Sequence, residues 1–172
     1  MKYRFIGAAL LLLLASFLQA NLLPDITPFG IRMLLPLALS VVTGLLRSTF
    51  ESMLMGFLYG MAMDMLMGRM LGLHAVLYAA TAGLISLVNE KLYREKMLIQ
   101  LSFSIAAVVA TEVIFYLAVF LLRGYDSFAM AFVTLILPVA LCNGLLVLPL
   151  YRPVAGLYAR LDVLDRKRNR LG

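Results

Sequence analysis

The sequence predicts an all-α integral membrane protein, with about six transmembrane helices packed in one bundle. Composition is the first reason: of 172 residues, 63% are hydrophobic and 14% are charged. A soluble domain is nearer half apolar and a quarter charged. The second reason is that the apolar residues form runs of roughly 17 to 25 residues, the length that a helix needs to cross a bilayer.

Each apolar run is bounded by charged, polar or turn-forming residues. The first run follows Met1–Arg4, and Leu18 and Gln19 before Ala20 fit a cleavage site poorly, so we expect an uncleaved helix. Runs two to four are short and rich in Gly and Met, which makes their ends the least defined. The predicted spans are residues 5–23, 31–47, 51–67, 72–88, 98–122 and 129–150.

Lys and Arg are distributed unevenly between the connections. With a cytoplasmic N-terminus, twelve of the 15 basic residues lie on the cytoplasmic side, and Arg32, Arg69 and Arg123 lie outside. Cytoplasmic loops carry an excess of Lys and Arg, so we expect a multi-pass membrane protein with both termini in the cytoplasm. This distribution also accounts for the net charge of +6 without a nucleic-acid partner.

The last twenty residues differ from the rest of the chain. We predict a six-helix transmembrane domain over residues 1–152 and a basic, amphipathic cytoplasmic tail over residues 153–172. Apolar residues recur in the tail at steps of three and four, as in a helix that lies on a membrane surface; they are Val154, Leu157, Leu161 and Leu164. The basic residues that follow either bind anionic lipid or only anchor the orientation; they are Arg166, Lys167, Arg168 and Arg170.

An acidic residue in the third span is the first candidate for a functional site. Asp64 follows the apolar stretch MLMGFLYGMAM, and a carboxylate at membrane depth costs several kcal/mol unless it is paired or neutral. Its possible partners are Arg69 in the next turn, His74 at the start of the fourth span, and the backbone N–H groups of that helix. Asp is a good helix cap, and the last option would make Asp64 a structural residue of a tight turn.

Glycines precede Asp64 at four-residue steps. Gly56, Gly60 and Asp64 share one helix face, because each step advances about 400° and so drifts by only about 40°. Small residues let membrane helices approach closely. We therefore predict that this face contacts another helix, either within the bundle or in a partner protein.

A second acid, Glu112, lies in the fifth span within VVATEVIFY. In the predicted orientation Asp64, His74 and Glu112 all lie in the outer half of the membrane and form an intramembrane polar cluster. Two acids and a His can carry a proton relay, or they can be a neutralised packing motif, which we favour. Asn143 in the sixth span is predicted to hydrogen-bond between helices.

No residues of the chain match a catalytic or metal-binding motif. The sequence contains no HExxH, no GxSxG and no P-loop. The single cysteine, Cys142, allows neither an intrachain disulfide nor a metal site built from cysteines. We therefore expect no enzymatic activity, no cofactor and no metal.

The third and fourth spans contain an ordered pattern of small and aromatic residues. They read G-F-L-Y-G-M-A-M-D, then G-R-M-L-G-L-H-A-V-L-Y, then A-A-T-A-G. This pattern resembles the rod shape-determining protein MreD family, which shows a Gly-x-x-x-Asp step, a Leu-Gly pair, a Leu-x-Tyr and a further Gly. Pro24, Pro36, Arg47, the length and the number of spans also look like the family. The matching positions are Gly56, Gly60, Asp64, Gly68, Leu71, Gly72, Leu77, Tyr78 and Gly83.

The resemblance implies a structural role in the bacterial cell-elongation machinery. It implies a non-catalytic scaffold that supports rod shape and side-wall peptidoglycan synthesis through contact with an MreC-like membrane protein. Further implied partners are the actin-like MreB and RodA with a class B penicillin-binding transpeptidase. Within this scaffold, Gly68, Gly72, Tyr78 and Gly83 are expected to form a turn and packing motif.

The same resemblance supplies an alternative function. The family fold is thought to be similar to the substrate-binding subunits of energy-coupling-factor vitamin transporters. The chain would then be a membrane subunit that binds a vitamin or another small molecule, with Asp64, His74 and Glu112 lining the pocket. The absence of Trp and the short outer loops argue against a high-affinity pocket.

Overall fold

The computed structural model describes residues 2–21, 33–67, 71–91, 97–123 and 132–169. These residues form six helices, which confirms the all-α prediction. A π-helical turn at Phe132–Ile136 leads directly into the sixth helix. The helices are α1 (Lys2–Asn21), α2 (Leu35–Leu46), α3 (Thr49–Met67), α4 (Leu73–Lys91), α5 (Met97–Arg123) and α6 (Leu137–Asn169).

The helices differ in how well each would cross a membrane on its own. Within the described residues, one helix, Phe132–Asp165, is both long and apolar enough to do so. Others are apolar over shorter lengths: Gly7–Asn21, Leu35–Leu46, Leu73–Asn89 and Ser104–Val119. In α3, Glu51, Asp64 and two glycines lower the apolarity.

The short helix α2 lies at the centre of the bundle. Every residue from Pro36 to Leu45 is buried, and α2 contacts all five other helices. A helix that is hydrophobic all round is expected inside a bundle of other helices. Its 12 residues reach only about 18 Å, and the surrounding helices cover both its ends.

The start of α2 depends on side chains from two other helices. The predicted second span began at residue 31, whereas Met33 and Leu34 are not helical and α2 begins at Leu35. Pro36 occupies the first turn, where its missing N–H costs no helical hydrogen bond. The Leu34 N–H donates to Asn143 Oδ1 at 2.7 Å, and the Leu35 N–H donates to Gln19 Oε1 at 2.9 Å. Asn143 therefore makes the hydrogen bond between helices that the sequence predicted.

The sixth helix is longer than the sequence predicted. It continues through Pro149 and Pro153 to Asn169 without a break, whereas the predicted span ended at residue 150. Both prolines lie on the exposed side of α6. Interior prolines remove helical hydrogen bonds, and membrane helices tolerate them where neighbouring groups compensate.

The part of α6 beyond Pro153 packs against the bundle. Val154 and Tyr158 are 4% and 5% exposed, and the Leu161 side chain fills the space beside Gly7 of α1. The apolar face that was expected on a membrane surface thus covers α1 and α2, and of that face only Leu164, at 49% exposure, is exposed. The division into two domains at residue 152 stays a prediction, since α6 runs through it.

Candidate functional site

The pair of helices α3 and α4 makes the most extensive contact in the described bundle. Gly56 faces the backbone of Tyr78 and Ala79, and Gly60 faces the backbone of His74 and Ala75. A Cβ atom on Gly56 would lie 2.5 Å from the Tyr78 carbonyl oxygen, a distance that real Cβ atoms essentially never show. The glycine face is therefore filled by α4, which is the first of its two predicted uses.

Asp64 caps the N-terminus of α4. Its Oδ2 accepts from the Gly72 N–H at 2.8 Å and from the Ala75 N–H at 3.1 Å. Its Oδ1 accepts from the His74 N–H at 3.2 Å and lies 2.7 Å from His74 Nδ1. A carboxylate offers about four acceptor positions, and all are used here. The positive end of the α4 dipole adds a further favourable interaction with this buried charge.

The turn between α3 and α4 needs a glycine at residue 72. Gly72 has a φ of +99°, a conformation that costs other L-residues roughly 1–2 kcal/mol. This conformation directs the Gly72 N–H at Asp64 while its carbonyl accepts the first helical bond from the Val76 N–H at 3.0 Å. Arg69, the remaining candidate partner of Asp64, lies outside the described residues, and so does Gly68.

His74 joins the capped turn to α5. Its ring stacks on Phe115 with the centroids 4.2 Å apart, and meets the edge of Tyr78 at 5.6 Å. With Asp64 as the acceptor, Nδ1 carries the proton of their hydrogen bond. His74 is only 5% exposed, so the imidazole is a buried element of the α3–α4–α5 contact.

Glu112 lies near this group without bonding to it. Its side chain is 3% exposed, and it makes no hydrogen bond or ion pair with any residue that the structure describes. It follows Thr111, whose hydroxyl bonds to that of Thr81 on α4. The Tyr78 hydroxyl is within electrostatic range of both Glu112 and Asp64. The structure thus joins Asp64 and His74 directly and leaves Glu112 about one turn away.

The remaining predicted site residues divide into two sets. Gly83 faces the Met53 side chain, and Tyr78 is 1% exposed between α3, α4 and α5. Arg170 lies outside the described residues, as do the side chains of Arg166, Lys167 and Arg168. No group of three His, Cys, Asp or Glu within the described ranges is placed to hold a metal ion.

A second polar site, at the opposite end of α3, centres on Arg47. Its guanidinium is bidentate on Asp162 of α6, with N–O distances of 3.0 and 3.1 Å. It also lies 4.3 Å from the ring centroid of Tyr158 and 3.9 Å from Glu51. The Arg47 side chain is only 7% exposed, so α6 and α3 supply the partners that a buried cation requires.

The backbone at this corner is satisfied by α4. The Ser86 hydroxyl donates to the Arg47 carbonyl at 2.9 Å, and Asn89 Nδ2 donates to the Leu45 carbonyl at 2.8 Å. The sequence analysis treated Arg47 as an orientation signal and did not identify this site. The sequence did contain a signal for this site. An Arg between two apolar runs requires an acidic partner when it is buried, and Asp162 is one of only nine acidic residues in the chain.

The two polar sites mark the two ends of one apolar layer. Thr49 and Asp64 are 15 residues apart on α3, which corresponds to about 22 Å of helix. The residues of α3 between Glu51 and Asp64 carry no charge. This apolar layer is thinner than the hydrocarbon core of a typical bilayer, which is roughly 30 Å thick.

Comparison with known proteins identifies the family. The family model described as rod shape-determining protein MreD matches residues 2–161. No curated protein matches the chain, and no solved structure matches it. The matched range contains Arg47, the α3–α4 turn and Glu112, and so covers both ends of the apolar layer. The chain therefore belongs to the MreD family of rod shape-determining membrane proteins.

Proposed function

We propose that this protein is a non-catalytic membrane scaffold of the bacterial cell-elongation machinery. It would support rod shape and side-wall peptidoglycan synthesis by contacting an MreC-like membrane protein. The family match over residues 2–161 is the observation that carries the proposal. Further proposed partners are MreB and RodA with a class B penicillin-binding transpeptidase, and anionic lipid at the basic C-terminus.

The proposed location is the bacterial plasma membrane, with six crossings and both termini in the cytoplasm. The contact of Gly7 with Leu161 supports this, because it brings the start of α1 and the last part of α6 to the same end of the bundle. Arg47 lies at that end too. The predicted topology assigns twelve of the 15 basic residues to this side, as the positive-inside rule expects of a cytoplasmic face.

The outward face of α3 is the proposed contact surface for the MreC-like partner. The opposite face, with Gly56 and Gly60, is covered by α4, so Asp64 and the glycines would shape the contact rather than make it. The outward face is apolar and large, and its exposed residues are Phe50, Met53, Leu54, Phe57, Leu58, Met65 and Leu66. A partner helix gains van der Waals contact there in place of lipid.

Affinity purification from native membranes in mild detergent tests the scaffold. The tagged protein should bring down an MreC-like protein, or cell-wall synthases, identified by mass spectrometry. Recovery of an ATPase pair with a coupling subunit, or of a bound vitamin, would replace the scaffold with the transporter alternative. The fold similarity to such transporter subunits stays a prediction.

Substitutions on α3 test the contact surface. Phe57→Ala is expected to reduce recovery of the MreC-like protein without lowering the amount of the tagged chain, because Phe57 is 40% exposed. Leu145→Ala on α6, at 57% exposure, is the matched control and should leave recovery unchanged. Equal recovery from both variants would contradict the α3 assignment.

Cell shape gives a second readout for the glycine face. Gly60→Leu combined with Asp64→Ala should round the cells, because the first change separates α3 from α4 and the second removes the α4 cap. Normal rods at a normal protein level would show that this helix pair is unimportant for function.

A further inference from the structure

The two intramembrane acids of this bundle have opposite surroundings. Asp64 accepts three backbone N–H groups and contacts His74 Nδ1, so its negative charge is compensated where it lies. Glu112 is equally buried, at 3% exposure, and receives no hydrogen bond from any described residue. An ionised carboxylate without donors is very costly in an apolar interior, whereas a neutral carboxylic acid is much less so.

The described parts of the helices around Glu112 place no Lys or Arg against its carboxyl. The titratable groups that face this region are Tyr78 and His74 on α4 and Asp64 on α3. Asp64 already interacts with His74. α2 has no titratable residue between 35 and 46, and the facing part of α6, residues 137–147, has only Cys142. On α5 itself, Tyr116 follows one turn later. Among the residues that the structure describes, none forms an ion pair or a hydrogen bond that would neutralise a charge on Glu112.

A second buried polar group faces the same region without a partner. Tyr78 is 1% exposed, and its buried hydroxyl makes no hydrogen bond to any residue that the structure describes. It lies within electrostatic range of the Glu112 carboxyl. A buried hydroxyl without a described partner, close to a buried acid that accepts no described hydrogen bond, requires an explanation, such as a bound proton, water or ion.

We propose that Glu112 is a proton-binding site buried within the bundle and that it holds its proton at neutral pH. The bound proton makes the side chain neutral, and it gives Glu112 an O–H that can donate to a water or to the Tyr78 oxygen after a small rotation. His74 and Asp64 lie between this site and the end of the bundle where α3 turns into α4. Release of the proton would leave a buried charge and force the α4–α5 contact to rearrange.

The proposal predicts a sign for the effect of pH. A Glu in the unfolded chain is ionised at neutral pH, so folding takes up a proton at this site. Stability must then fall as pH rises, because the folded state binds the proton that the unfolded state has lost. Glu112→Gln, which keeps the shape and cannot ionise, should remove that dependence.

Infrared spectroscopy of the purified protein in lipid or detergent tests the proton directly. Glu occurs at four positions, 51, 90, 95 and 112, so protein made with ¹³C-labelled glutamate marks few carboxyls. At neutral pH we expect a protonated carboxyl C=O band that moves on ¹³C-labelling and disappears in Glu112→Gln. Glu51→Gln, which changes an acid one third exposed at the other end of α3, is the matched control and should retain the band.

The outcomes separate clearly. A spectrum with no ¹³C-sensitive protonated band at neutral or mildly acidic pH would overturn the proposal, as would a band that survives in Glu112→Gln. If that variant does not fold, titration of the labelled wild-type band towards alkaline pH decides instead. In melting experiments the wild-type midpoint should drop relative to Glu112→Gln as pH rises, and parallel curves would contradict the proposal. All these measurements use isolated protein and do not depend on the scaffold function.

Discussion

Substitution of Gly60 by Ala should separate α3 from α4 and destabilise the bundle. The new Cβ would meet the backbone of His74 and Ala75, which cannot rotate away as a side chain can. A Cβ on Gly60 would come closer to these backbone atoms than real Cβ atoms do, so the two helices must move apart by at least several tenths of an ångström. The shift at Gly60 also pulls the α4 N-terminus away from Asp64.

Two contributions destabilise the Gly60→Ala variant, and one stabilises it. Overpacking costs about 1–3 kcal/mol, and the upper end applies because backbone atoms are contacted. One weakened hydrogen bond to the Asp64 carboxylate adds roughly 1.5 kcal/mol. Ala gains about 1 kcal/mol over Gly in helix propensity. The net loss is about 3.5 kcal/mol, which corresponds to a drop in melting midpoint on the order of 7–14 °C for a chain of this size.

The assay is the fraction of purified protein that stays monodisperse on gel filtration after heating in mild detergent. Gly156→Ala is the matched control, because it is also a helical Gly→Ala change and its Cβ would meet nothing within 4 Å. It should melt at the wild-type temperature or slightly above. Gly83→Ala should fall between the two, since the nearest atom, 2.6 Å away, belongs to the flexible Met53 side chain. Equal midpoints for Gly60→Ala and Gly156→Ala would refute the close-approach argument.

Three further changes are expected to have measurable effects in the same assay. Asp64→Asn should cost about 2–6 kcal/mol, because an amide nitrogen facing the α4 N–H groups leaves two of them unpaired at roughly 1–3 kcal/mol each; a midpoint within about 1 °C of wild type would count against the cap. Gly72→Ala should lose about 1–2 kcal/mol from backbone strain at its φ of +99°, and Gly72→Asn should lose less; the opposite order would exclude strain as the cause. In a double-mutant cycle of Arg47→Lys with Asp162→Asn, the coupling should be about 1 kcal/mol, because Lys loses the bidentate geometry while solvent screens the partly exposed Asp162; additive effects would show that the pair is not coupled.

Local sequence patterns predicted the helix ends well where neighbouring residues alone determine the backbone conformation. The third span was predicted over 51–67 and α3 is Thr49–Met67, because an apolar run followed by a Gly-rich turn is a local signal. The end of α6 was predicted wrongly because only local signals were available. Pro153 is a local stop signal, while the contacts of Val154 and Tyr158 with the core, which hold the helix together, are remote.

The candidate site could be predicted in part. The sequence identified Asp64 as a residue that needs partners and named both His74 and the α4 backbone among them. These partners could be predicted because a single short turn separates the end of α3 from the start of α4. It did not find the partner of Arg47, because Asp162 is 115 residues away and no periodicity connects them. In the tail, the spacing of Val154 and Leu161 correctly marked an apolar face, but spacing alone does not distinguish a membrane from a neighbouring helix as its cover.

The pairing of Arg47 with Asp162 has a consequence for biogenesis. Arg47 leaves the ribosome 115 residues before its counter-ion, a delay of about 6–23 s at 5–20 residues per second. During that interval a cation that ends up 7% exposed has only Glu51 nearby, and it must remain in contact with water. The α2–α3 corner is thus held at the membrane surface until the last helix arrives. Translation that stops short of residue 162 would leave this corner open, and such unfinished chains should be the ones that membrane proteases remove.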